Sequence, residues 1–270
     1  MGQFLADSTP GHAVRLTPSH ILEARDLLDA GHCVVWIINV DHAGGSDTGL
    51  QPQDPLLPRG DDQWLDQQER VRAHGFVVGL DRQRYTASHM ITRALLGGLS
   101  TTAPQDIVFD RRPCARCGET HGKPEIRPTS PRGAQGEALR FSTSRSDRLL
   151  AIAVRGDTDV GIDIEVRPAG EDLAALRDSV EARGDEAGDL LERWVRKEAF
   201  LKATGEGLTR PMTSLALRRH RADTWCASPD EQIDVRDLRA LRVTTDDRIV
   251  AAVAGIRPLG NPRVFTVDEG

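Results

Sequence analysis

Apolar positions recur at three- and four-residue steps in two long stretches of this chain and run continuously or alternate in several short ones. Leu190, Leu191, Trp194, Val195, Glu198, Leu201 and Lys202 share one helical face, and Gly205 stops that helix. A face of this kind is ordinarily apolar throughout, yet here it carries a carboxylate and an ammonium in line with a tryptophan. A second helix is predicted from Asp81 to Leu96, with Ala87, Ile91, Ala94 and Leu95 inward and Arg82, Arg84 and Arg93 projecting outward as solvated charges. Tyr85 reads as core or rim packing and His89 as structural. Thr17-Pro18-Ser19 opens a helix through Leu28, ended near Gly31. Asp62 to His74 reads as a polar helix anchored by Trp64 and Val71.

The strand signals are shorter. Cys33 to Val40, apolar at every position but Asn39, reads as a strand buried on both faces. Asp106–Asp110, Leu139–Ser144, Leu149–Val154, Val160–Val166, Ser214–Arg218, Thr224–Ala227, Leu241–Thr244 and Ile249–Ala254 also read as strands. Residues 1 to 16 are weakly patterned; 41 to 60 and 127 to 138, rich in Gly and Pro, read as loops. The C-terminal half therefore mixes helix with a sheet expected to be antiparallel. Within Val160–Val166, Asp163 and Glu165 fall on one face and Ile162, Ile164 and Val166 on the other. Adjacent carboxylates repel unless a positive charge sits between them, and a hard oxygen-seeking cation such as Mg²⁺ suits that position. Such pairs are also common on solvated sheet faces.

Composition narrows the picture. At 270 residues the chain is one large domain or two small ones, with 39% hydrophobic and 28% charged residues. No apolar run approaches the roughly 20 residues that span a bilayer, and no secretory signal is read at the start. A net charge of −6 gives no reason to expect nucleic acid. With four cysteines and no disulfide framework, the expected location is the reducing cytoplasm. Cys114-Ala115-Arg116-Cys117 with His121 supplies three ligands where structural zinc takes four, so the expectation is a turn with two reduced thiols and no stoichiometric zinc. Of 35 basic residues only Lys123, Lys197 and Lys202 are lysine. A chain this rich in arginine keeps lysine where a compact point charge is needed and a planar fork is too broad. Lys123 stands in the turn Gly122-Lys123-Pro124, which is expected to present it. There is no Walker-type loop and no GxSxG elbow.

Val160-Gly161-Ile162-Asp163-Ile164-Glu165, followed by Trp194-Val195-Arg196-Lys197-Glu198-Ala199-Phe200-Leu201-Lys202, resembles the paired signature G-[IV]-D-x-E and [FW]-x-x-K-E-[AS]-x-x-K of 4′-phosphopantetheinyl transferases. Gly122-Lys123-Pro124, Phe141-Ser142-Thr143-Ser144-Arg145-Ser146, and Arg84 before Leu95-Leu96-Gly97 are similar to further family segments in the same order. The resemblance covers roughly residues 32 to 255, and the length suits the large Sfp-like class. It implies an α+β fold, a pseudo-dimer of two similar α/β subdomains, residues 1–158 and 159–270, with the active site at their junction. It implies transfer of the phosphopantetheine arm of coenzyme A to a serine of an apo acyl or peptidyl carrier protein, as in polyketide or nonribosomal peptide biosynthesis, releasing adenosine 3′,5′-bisphosphate. Asp163, Glu165 and Glu198 would hold Mg²⁺. Arg84, Lys123, Ser144, Arg145 and Lys202 would meet coenzyme A, with Lys197 close by. Glu198 or a metal-bound water would help remove the serine proton. Many members have a histidine at the position of Arg145. The chain is expected to act as a monomer, away from membranes. The alternatives are another Mg²⁺-dependent phosphotransferase or nuclease, and a non-catalytic carrier-binding relative.

Overall fold

The computed structural model describes residues 17–42, 62–114, 116–120, 122–127, 139–156, 158–167, 173–221, 224–228, 233–238, 248–256 and 259–267. Among them five α-helices and eleven strands form a mixed α+β fold. In chain order these are α1 (Pro18–Asp29), β1 (Val34–Asn39), α2 (Gln67–His74), α3 (Gly79–Ser100), β2 (Phe109–Arg111), β3 (Pro124–Ile126), β4 (Arg140–Ser146), β5 (Leu149–Arg155), β6 (Val160–Val166), α4 (Arg177–Val180), α5 (Leu190–Thr204), β7 (Ala216–Arg221), β8 (Thr224–Ser228), β9 (Ile233–Asp237), β10 (Ile249–Ile256) and β11 (Arg263–Val267).

Two sheets carry the fold. One has the order β11-β1-β5-β4, the other β6-β10-β9-β8-β7, and β2 and β3 form a separate hairpin. The second sheet is antiparallel throughout its registers, as expected. Three apolar layers result. Val34, Trp36 and Ile38 face Ile91, Leu95 and Leu99 of α3. The alternate residues Val35 and Ile37 join Ile162, Ile164 and Val253 between the sheets. Val195, Ala199 and Phe200 of α5 pack on the far face against Leu217, Val235 and Ala252. β1 is thus apolar and buried from Val34 to Ile38 because both its faces are covered there, and the half-buried Asn39 ends it.

Several elements depart from expectation. Asp66 caps a fresh helix, accepting from the Glu69 N–H at 2.8 Å, so the stretch from Asp62 divides into a 3₁₀ turn and α2. Val71 is 68% exposed and anchors nothing; α2 buries Glu69 and Ala73 instead. Arg93, expected outside, is 1% exposed. The strand expected from Asp106 begins at Phe109, after a 3₁₀ turn over Pro104–Asp106. β9 and β11 were not expected from the pattern. β11 runs parallel to β1, so the C-terminal end of the chain completes the first sheet. The expected strand 241–244, loop residues 43–60 and 128–138, and the N-terminal 1–16 lie outside the described residues, as does His121. Among the described residues no helix is long and apolar enough to cross a membrane.

Candidate active site

The sheets meet along their edge strands β4 and β6, and serine side chains join them. Ser142, Ser144 and Ser146 alternate along β4 and so share one face. The Ile162 N–H donates to Ser142 Oγ at 3.2 Å, and the Val166 N–H to Ser146 Oγ at 3.0 Å. Ser144 Oγ donates to Asp163 Oδ1 at 2.7 Å, and Ser146 Oγ to Glu165 Oε2 at 2.6 Å. The Ser142 and Ser146 hydroxyls satisfy edge N–H groups of β6, the Ser144 and Ser146 hydroxyls fix the two carboxylates, and Ser146 does both.

Gly161 brings the helix down onto this strand. A Cβ at Gly161 would lie 2.0 Å from the Ala199 carbonyl oxygen and 2.4 Å from the Ala203 nitrogen, so only glycine permits the approach. Asp163 and Glu165, two and four residues on, share the face of Gly161 and point to α5. From α5, Trp194, Glu198 and Lys202 stand one turn apart on one stripe. Together with Thr143, Ser144 and Arg145 these five line an open cleft of ≈ 390 Å³.

Lys202 Nζ donates to Asp163 Oδ1 at 2.6 Å and to Ser144 Oγ at 3.1 Å. That single ammonium faces three carboxylates. Burial, and then the neighbouring charge of Asp163, raise Glu165 above the ordinary carboxylate range. Burial also raises Glu198; Lys202 opposes the rise while Asp163 and Glu165 add to it. Asp163 Oδ2 is buried with no hydrogen-bond partner. Among the described residues no three acidic, histidine or cysteine side chains stand as a finished metal shell. The donor set of under-compensated carboxylates around an orphaned oxygen nevertheless suits a hard divalent cation.

The structure thus brings Ser144, Arg145, Asp163, Glu165, Glu198 and Lys202 into one cleft and places the other three expected residues elsewhere. Arg84 is held by two carboxylates: Nε and Nη2 donate to Asp41 at 2.6 and 2.7 Å, and Nη1 to Asp147 at 2.6 Å. It ties α3 to the β4–β5 turn. The Gly122 turn does not present Lys123 to solvent. Lys123 is 7% exposed and its ammonium donates to the Val160 carbonyl, with Asp159 3.8 Å away. Burial lowers its pKa to about 8, the Asp159 charge opposing and Arg112 and Arg140 assisting. Lys197 is fully buried; its ammonium donates to the Val180 carbonyl and Asp185 Oδ2, both at 2.7 Å, and to the Met212 carbonyl at 3.1 Å. It anchors α5 to the segments before and after it, away from the cleft. Cys114 and Cys117 are not joined in a disulfide; the first is buried and the second exposed.

The site has neighbours that the sequence did not single out. Glu69 reaches His89 Nδ1 at 2.8 Å and Arg93 Nη2 at 2.8 Å, and Asp66 N–H donates to it at 2.9 Å. The only available signal was the S/T/D-x-x-E capping pattern at Asp66, which predicts the turn but not the burial.

The sequence model of the 4′-phosphopantetheinyl transferase superfamily matches residues 159–254, the span that holds β6, α5 and all three carboxylates. The chain is 30% identical over 205 residues to 4′-phosphopantetheinyl transferase HetI of Nostoc sp., covering 70% of this chain and 78% of that protein. It is 29% identical over 164 residues to 4′-phosphopantetheinyl transferase psf-1 of Bacillus pumilus, covering 56% of this chain and 62% of that one. A match of this extent, through the strand and helix that build the cleft, places the chain in the 4′-phosphopantetheinyl transferase superfamily, as an enzyme of that family.

Proposed function

We propose that this protein transfers the 4′-phosphopantetheine arm of coenzyme A to a serine of an apo acyl or peptidyl carrier protein in the cytoplasm, releasing adenosine 3′,5′-bisphosphate. The observation that carries the reading is the cleft itself: Asp163 and Glu165 from β6 meet Glu198 and Lys202 from α5 over the gap left by Gly161. In the reaction the serine oxygen forms a bond to the pantetheine-side phosphorus of the pyrophosphate. The bond to the bridging oxygen breaks, and the nucleotide bisphosphate leaves with the electron pair.

Asp163, Glu165 and Glu198 would hold Mg²⁺, which when bound neutralises pyrophosphate charge. The rest of the work falls to side chains. Lys202, already at the mouth of the carboxylate group, offers its remaining donor to a phosphate oxygen. Arg145 offers a permanent cation at the rim. Glu198 accepts the serine proton as the new bond forms. Ser144 keeps Asp163 oriented, and the buried Lys197 fixes the rotation of α5 that turns Glu198 to the cleft. We further infer two subdomains, 1–158 and 159–270, related as a pseudo-dimer about the β4–β6 seam, with β11 exchanged into the first.

The test is mass spectrometry of an apo carrier protein incubated with the enzyme, coenzyme A and Mg²⁺. The expected result is the gain of one phosphopantetheine arm on serine; an unmodified carrier, with phosphate released or nucleic acid cut instead, would reassign the cleft to another phosphotransferase or a nuclease.

A further inference from the structure

Arg145 is held in an unusual way. Among the described residues it makes no ion pair, and its guanidinium lies over the ring of Tyr85, 5.1 Å from the centroid. Arg84, one residue before Tyr85, is by contrast committed to two carboxylates. A carboxylate partner would neutralise Arg145 and compete for its N–H groups. An aromatic face holds a guanidinium through the ring quadrupole and leaves the donors along the edge of the fork free. Tyr85 itself is buried and fixed. His89 packs on it at 4.3 Å between centroids and Phe76 at 5.3 Å. His89 is held in turn by Glu69, which Arg93 locks from the protein interior. A connected line of contacts therefore runs from Arg93 through Glu69, His89 and Tyr85 to Arg145 at the cleft. Arg72 approaches the same ring at 6.0 Å and adds positive charge beside it.

We propose that Tyr85 is a positioning residue of the transfer reaction: its ring holds Arg145 with its donors open to a phosphate group of the co-substrate, and Glu69 and His89 fix that ring. This rests on the reading of the cleft as a coenzyme A site. A phosphate gains two parallel hydrogen bonds from a guanidinium already aimed at it, so the loss on removing the ring falls on binding.

Calorimetric titration with coenzyme A tests this in the wild type, Tyr85→Phe, Tyr85→Leu, Arg145→Ala and the double variant Tyr85→Leu/Arg145→Ala, with melting temperatures alongside. The ring face is worth roughly threefold to thirtyfold in affinity. Tyr85→Leu should weaken binding by that factor and raise KM for coenzyme A with little change in kcat. Tyr85→Phe, which keeps the face, should bind within about twofold of wild type. In the Arg145→Ala background Tyr85→Leu should cost nothing more, since its effect acts through the arginine. Full additivity of the two substitutions, or a loss in Tyr85→Phe equal to that in Tyr85→Leu, overturns the proposal. Should Tyr85→Leu fail to fold, the Phe variant and Arg145→Ala still decide it: Arg145→Ala binding as tightly as wild type would leave the ring nothing to position. A wild-type enzyme that neither binds coenzyme A nor modifies a carrier would overturn the functional reading instead.

Discussion

Two groups of carboxylates, one buried and one partly buried in the cleft, have opposite electrostatics. Around Glu69, one carboxylate meets Arg93, His89 and the Asp66 N–H. Burial alone would raise its pKa, but hydrogen bonds from His89, Asp66 and Arg93 bring it down to about 2. In the cleft, three carboxylates share Lys202, and Glu165 and Glu198 are raised. The first group is satisfied within the chain and behaves as structure. The second is left short of positive charge, a condition that favours taking up a cation from outside.

The largest effect should come from breaking the satisfied group. Arg93→Leu leaves Glu69 buried without its guanidinium, and removing one partner of a buried pair costs about 3–5 kcal/mol. Denaturant unfolding measures it. A loss below about 1 kcal/mol would put Glu69 in the class of surface pairs and erase the contrast.

The pH dependence sharpens the same comparison. Glu69 falls from an ordinary 4.5 to about 2 in the fold. Its stabilisation, roughly 3 kcal/mol, is therefore present above pH 4.5 and lost as pH falls towards 2. Glu165 and Glu198 have the other sign: their contribution is full below the unfolded carboxylate value and lost as pH rises through their raised values in the fold. Glu69→Gln should flatten the acid limb of stability between pH 4.5 and 2, and Glu198→Gln should leave it in place. Acid unfolding followed by circular dichroism reads both limbs; an unchanged limb in Glu69→Gln would show that its paired charge does not contribute.

Smaller in free energy, though decisive for function, is the effect on turnover. Asp163→Ala and Glu198→Ala should each slow carrier modification about a hundredfold, roughly 2.7 kcal/mol of lost charge stabilisation, with folding retained. Steady-state rates of holo-carrier formation check this, and wild-type turnover in both variants would remove the carboxylates from the mechanism.

How much of this was written in the sequence depends on whether a contact is local. The two-residue spacing of Asp163 and Glu165 put them on one face, and the helical steps from Leu190 put Trp194, Glu198 and Lys202 on another; both hold in the structure. These are facts of period 2 and period 3.6, and any strand or helix obeys them. That Gly161 sets the distance between the two faces is not a local fact, because the clash it avoids is with Ala199. The serine seam was unreadable for the same reason: Ser142, Ser144 and Ser146 look like a polar edge until β6 stands beside them. Arg93 was misplaced because a long basic side chain on a helix reads as surface until the partner that buries it, Glu69, is known; nothing local in the sequence sets Asp185 beside Lys197 either. The lysine count pointed to three positions that arginine does not fill, but only Lys202 faces the cleft. Lys123 and Lys197 are buried instead, the first on the Val160 carbonyl beside Asp159 and the second on the Val180 and Met212 carbonyls and Asp185, where a compact ammonium takes less room than a guanidinium. The return of β11 to the first sheet depends on a pairing across most of the chain, which no window of residues contains.

Three carboxylates share Lys202 in the cleft, and under the proposed function an external cation would supply the missing positive charge. The most direct measurement is the melting temperature of the wild type and Glu198→Gln in coenzyme A, with and without Mg²⁺. Without Mg²⁺ the variant should melt at or above the wild type, because one repelling charge is gone. Mg²⁺ should raise the melting temperature of the wild type and leave the variant nearly unchanged. An equal Mg²⁺ shift in both proteins, or none in the wild type, would contradict this reading.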